Sequence, residues 1–193
     1  MEHPALVEAL VVCGAGTNEP HFFDPWTLDQ QRCQLQAQQN GDVEGWVESY
    51  LTAYLAGPYR PLTSVDSALV KRCREMAGHT VEAHARSSAF LPEHAKNTWA
   101  RLVEIDVPLL AIVGDLDSPD HRTMVRQLAA GVRGAKMVVR EGAAHYPNME
   151  QPDAFNSVLS GFLRNTEQRR SAASSMTNSS GDTVSKRAGR SPR

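Results

Sequence analysis

Apolar and polar positions change their spacing three times along the chain. Residues 6–13, LVEALVVC, end in a short apolar run closed by the turn-like text GAGTNEP, which predicts a buried strand. Residues 24–88 read as helical. Over 42–56 the apolar side chains Val43, Trp46, Val47, Tyr50, Leu51, Tyr54 and Leu55 recur at the i, i+3, i+4, i+7 spacing of one helix face. Asp42 suits the N-cap of that helix, and Gly57-Pro58 its stop. A second helix is expected from about Asp66, with Leu69, Val70, Cys73, Met76 and Ala77 on one face, and a third, rich in Gln, around 27–38. An aromatic stripe at helical spacing, Trp46, Tyr50 and Tyr54, reads first as core packing.

From residue 107 the pattern becomes strand, helix, strand, helix. VPLLAIVG is apolar without alternation, as a strand covered on both faces should be. A helix over about 121–131 follows, then the strand AKMVVR, the turn EGAAHYPN, and a last helix over 152–163 with Pro152 at its first position and Asp153 in its first turn. Strands alternating with single helices predict a parallel sheet in an α/β fold. Residues 166–193 differ in kind: rich in Ser and Arg and nearly empty of large apolar side chains, they predict a disordered tail. No internal repeat is visible.

Composition narrows the function classes. The chain has 193 residues and a net charge of −2, with 41% hydrophobic residues, enough for one soluble domain. The tail carries six basic and two acidic residues, so the body over 1–165 holds −6. That balance argues against a nucleic-acid binder. No run approaches the ~18 apolar residues of a membrane span, and MEHPALVEAL lacks the features of a secretory signal. Cys13, Cys33 and Cys73 are odd in number and far apart; they predict reduced, mostly buried thiols in the cytoplasm rather than disulfides or a zinc site.

The candidate chemistry sits in two loops. In parallel α/β sheets, working residues lie beyond the carboxyl ends of strands. GDLDSPD places Asp117 just past the first of the two late strands, and EGAAHYPN places His145 just past the second. If those strands are neighbours, about 4.8 Å apart, the loops meet. A carboxylate against an imidazole fixes its tautomer and suits the base of a hydrolytic triad. Gly142 and the alanines before His145 would leave room for a substrate. Spacing alone leaves a second reading open, in which Asp117 caps a helix and His145 occupies an ordinary turn. His79 and His84 are five apart, off one helix face, and no H-E-x-x-H occurs, so no metal site is expected. His3, His21, His94 and His121 have no evident partner in the sequence, and no phosphate-binding glycine loop is present.

GDLDSPD followed by GAAHYPNMEQPDAF resembles the end of an α/β-hydrolase, in the branch of small-molecule ester, lactone and C–C bond hydrolases. The opening HPALVEALVVCGAG resembles the stretch from the end of that family's nucleophile helix into the next strand. The resemblance implies the C-terminal half of an α/β-hydrolase fold: core over 1–23 and 89–165, a helical cap insertion over 24–88, and the tail. Asp117 would be the acid and His145 the general base. Asp115 and Asp120 are off register. Phe22, Trp26 and Trp46, with Phe23 and Tyr50, would line an apolar pocket for a small ester or lactone. No cofactor is implied. The family order is nucleophile, acid, histidine, yet no G-x-S-x-G occurs; Ser49, Ser64, Ser67, Ser87 and Ser88 sit in helical text, and Cys13 has no glycine elbow. The expectation is therefore a truncated or inactive hydrolase, completed if at all by a chain supplying the missing half. The alternative is a non-catalytic binding protein of the same fold.

Overall fold

The computed structural model describes residues 3–86 and 95–181. Ser87, Ser88, His94 and residues 182–193 of the tail lie outside them. Met1–Pro152 form one compact unit and Asp153–Arg193 a second.

The first unit is built on a three-stranded parallel sheet in the order β1-β2-β3: β1 is Leu10–Cys13, β2 is Leu109–Gly114 and β3 is Lys136–Arg140. Every residue of β2 is buried, which explains its unbroken apolar text. Leu109, Ala111 and Val113 pack with Val125, Leu128, Val132 and Leu102. β1 differs from expectation. It is shorter than its apolar run and lies at a sheet edge, and Val11 is 39% exposed rather than buried. The thiols also differ, with Cys73 buried but Cys13 only half-buried and Cys33 exposed.

The helical block follows its caps. Helix α1, Pro25–Gln39, starts at Asp24, whose side chain accepts from the Thr27 N–H at 2.9 Å. Helix α2, Val43–Leu51, starts at Asp42 in the same way. The expected continuous helix to residue 56 is broken: Thr52–Ala56 form a single π-helical turn that ends at Gly57. Helix α3, Ser67–Arg86, begins after Asp66, which accepts from the Leu69 N–H at 2.9 Å. Val47, Leu51, Leu55, Cys73 and Ala77 make a second apolar cluster, against which Trp46, Tyr50, Tyr146 and Met149 pack.

Helix α4, Pro119–Gly131, begins two residues earlier than its pattern, because Ser118 caps it and Pro119 takes the first position. A short helix α5, Pro147–Glu150, follows the β3 turn. Helix α6 is Pro152–Gly181, and all of it after Pro152 belongs to the second unit. The expected disordered tail is thus helical over 166–181. Between Gly161 and Gly181 the text has no Pro or Gly to break a helix, and its short run TEQRRSAA holds good helix formers, so helical backbone is tolerated without a buried face.

Candidate active site

The site is carried by the two loops that leave β2 and β3 side by side. The strands pair in parallel, with Gly114 opposite Arg140, so both loops emerge at one sheet edge. Backbone bonds then lace them together: the Asp115 N–H donates to the Arg140 carbonyl at 3.1 Å and the Leu116 N–H to the Ala143 carbonyl at 3.0 Å. The Asp115 carboxylate accepts from the Gly142 N–H at 2.7 Å, a structural role for an acid that is off register. Gly114 permits this approach, since a Cβ there would lie 2.0 Å from the Ala143 carbonyl oxygen and 2.1 Å from that of Ala144. Ala143 and Ala144 are fully buried, so they serve packing and do not open the space expected beside His145.

This lacing brings Asp117 and His145 together. The Asp117 side chain is fully buried, and its Oδ2 accepts from His145 Nδ1 at 2.9 Å. Its Oδ1 accepts from the Ser118 N–H at 2.7 Å and from His121 Nδ1 at 3.1 Å. Burial pushes the carboxyl upward, but the hydrogen bonds and charge of His121 and His145 outweigh it and hold the group below the usual aspartate range. Asp117 is therefore ionised at neutral pH and can only accept. Each imidazole bonded to it must carry its proton on Nδ1, which leaves both Nε2 atoms unprotonated in the neutral rings.

His121 is the residue that sequence reading missed. It has a partner after all, and a signal existed: Asp117 and His121 are four apart across a Ser-Pro helix start, which turns both toward one side. The His121 and His145 ring centroids are 4.4 Å apart. The ligating atoms of Asp117, His121 and His145 lie within 4.8 Å of one another. Metal binding through the Nδ1 atoms would require loss of the two protons that Asp117 accepts.

The π turn places Tyr54 beside the pair. The His145 N–H donates to the Tyr54 carbonyl at 3.1 Å, and the rings stand 4.9 Å apart. Arg60 fastens this turn to the His145 loop. Its guanidinium donates to the carbonyls of Leu55, Ala56 and Gly142 and pairs with Glu150, whose other oxygen accepts from the Ala144 N–H. Phe22 meets the His121 ring edge-on at 5.7 Å. Its segment is anchored by Asp120, which accepts from the N–H groups of Phe23 and Asp24 at 2.9 Å each. The Phe23 side chain points outward, 78% exposed.

The three expected pocket residues do not share one space. Phe22 touches His121, and Trp26 lines a narrow crevice with Gln34, Tyr54, Ser118 and His121. Trp46 instead lines a separate cavity of about 200 Å³ with Tyr50, Cys73, Met76, Tyr146 and Met149. There the Tyr50 and Tyr146 hydroxyls are hydrogen-bonded to each other, and burial followed by that bond pushes the Tyr146 phenol upward. Tyr146 is next to His145 in the chain, and their rings stand 5.2 Å apart, edge to face.

Among the described residues, no hydroxyl or thiol hydrogen-bonds the His145 ring. The Ser118 hydroxyl faces His121 Nδ1 at 3.0 Å and accepts from the His121 N–H. Ser49 donates to the Gln30 carbonyl. Cys13 ends β1, and burial, then the Asp117 charge, pushes its thiol up to about 11, so it stays protonated at neutral pH.

No protein-family model matches the sequence. The chain is similar to a 2-hydroxy-6-oxononadienedioate/2-hydroxy-6-oxononatrienedioate hydrolase of Cupriavidus pinatubonensis, 24% identical over 167 residues, which cover 86% of this chain and 56% of that protein. Among solved structures, a thermophilic esterase from Thermogutta terrifontis superposes with a TM-score of 0.60 at 19% identity, over 86% of this chain and 58% of the other. The enol-lactonase of Burkholderia xenovorans LB400 gives a TM-score of 0.52 at 20% identity, over 82% and 56%. This chain thus spans little more than half the length of each of these proteins.

Proposed function

We propose, from the part of the α/β-hydrolase fold that this chain carries, that it serves hydrolysis of ester or lactone bonds in small molecules. The observation that supports this most is the hydrogen bond from His145 Nδ1 to the buried Asp117, at the ends of adjacent parallel strands. In this reading Asp117 is the acid and His145 the general base. A nucleophilic hydroxyl attacks the substrate carbonyl while His145 Nε2 takes its proton. The same nitrogen returns that proton to the leaving oxygen, and water repeats the sequence to release the acid. Asp117 keeps the imidazole in the required tautomer and balances the imidazolium.

The 193 residues hold no G-x-S-x-G, so the nucleophile is assigned to a residue outside them, in the same polypeptide or in a partner. Residues 24–88 act as the cap. Trp26 lines the crevice beside His121, Phe22 stands against the His121 ring, and the separate Trp46 cavity accepts an apolar part of the substrate. Alone, these residues would turn over little substrate. The three unpaired cysteines suit the cytoplasm.

The test is to label the protein recovered from its natural source with a fluorophosphonate and locate the adduct by mass spectrometry. An adduct on a serine outside this sequence, lost in His145→Ala, supports the reading. Absence of any adduct, with His145→Ala leaving the protein's cellular role intact, would replace it with the binding-protein alternative.

A further inference from the structure

We propose that His121 is a positioning residue of this site: by donating its Nδ1–H to Oδ1 of Asp117, it fixes the carboxylate so that Oδ2 meets His145, and thereby holds His145 in the tautomer that leaves Nε2 free. The inference rests on the reading of Asp117 and His145 as acid and base. A carboxylate with one partner can turn about its Cβ–Cγ bond and offer either oxygen. Here Oδ1 is taken by the Ser118 N–H and by His121, at 2.7 and 3.1 Å, and Oδ2 by His145 at 2.9 Å.

His121 is itself held. It is 7% exposed and sits in the first turn of α4; its backbone N–H donates to the Ser118 hydroxyl, and its Nδ1–H, 3.1 Å from Oδ1, is shared with that hydroxyl at 3.0 Å. Phe22 closes one side of its ring at 5.7 Å and Tyr54 another at 5.8 Å. An imidazole in water prefers its proton on Nε2. Each of two adjacent rings protonated on Nδ1 therefore needs an acceptor at that nitrogen, and the two oxygens of the ionised Asp117 supply one to each.

The experiment is side-chain nitrogen–proton NMR on the chain as it stands. In the wild type both His121 and His145 should show the Nδ1–H tautomer, each with a proton protected from exchange. His121→Asn, whose amide nitrogen lies where Nδ1 lay, should keep the His145 tautomer and its protected proton. His121→Leu removes the donor, and His145 should then lose the protected proton and mix its tautomers. In the complete hydrolase, His121→Leu should lower kcat about tenfold at little change in KM, and Asn should restore most of it. His121 protonated on Nε2 in the wild type would overturn the proposal, and this needs no substitution to fold. Unchanged His145 signals in a folded Leu variant would overturn it equally. The expected tautomers together with no hydrolysis in the native protein would support the positioning role and remove the hydrolytic reading.

Discussion

Asp117 gathers three donors on two oxygens in a place that water does not reach. Its charged form is the one those donors hold, so its native pKa lies below that of the unfolded chain. The stability this contributes is complete above the ordinary aspartate range and is lost as pH falls through the lower native value. Asp117→Asn should accordingly flatten the acid limb of a plot of Tm against pH, while leaving the neutral side less affected in slope. In a complete hydrolase the same substitution should lower turnover on the order of 10⁴-fold, because an amide no longer fixes the imidazole tautomer. Asp117 and His145 were legible in the sequence, since each follows a strand-like run by a few residues. His121 was not, because its partner becomes visible only once the helix start at Ser118-Pro119 is placed.

The turn at Thr52–Ala56 shows why element boundaries were harder to read than elements. Apolar spacing runs unbroken from Val43 to Leu55, so periodicity alone extends α2 through it. The π geometry is matched instead by bonds that the pattern does not show: the Tyr54 carbonyl receives the distant His145 N–H, and the Leu55 and Ala56 carbonyls receive the guanidinium of Arg60, four to five residues on. Arg60→Ala would leave Glu150, 6% exposed, without its cation, and should cost about 3 kcal/mol in urea unfolding. Gly114→Ala tests the lacing of the loops. Its Cβ would stand 2.0 and 2.1 Å from two backbone oxygens, far inside van der Waals contact, and the loss should be about 2 kcal/mol or more. The helix over 166–181 escaped the sequence reading for a different reason: absence of large apolar residues argues against a core, not against helical backbone.

Within the first unit, β2 is covered by a strand on each side, while β1 pairs on one side only among the described residues. β3 also pairs on one side only; β1 is the shorter and more apolar of the two open edges, with Val11 39% exposed on it. The purified chain should therefore self-associate with rising concentration, and Val11→Lys should reduce this in sedimentation velocity runs. A monodisperse wild-type monomer across the range would show that the edge needs no cover. No helix among the described residues is long and apolar enough to cross a membrane. The parallel sheet and helical block were legible because buried and half-buried elements impose different apolar periods; the exposure of β1 was not, because it depends on what lies beside it. The most direct test of Asp117 and His145 as a hydrolytic pair is the rate of ester and lactone cleavage by the protein purified from its source, measured beside His145→Ala expressed in the same host. Cleavage that falls by about three orders of magnitude or more in the variant is the expected result. Cleavage that is absent in both, or equal in both, would contradict it.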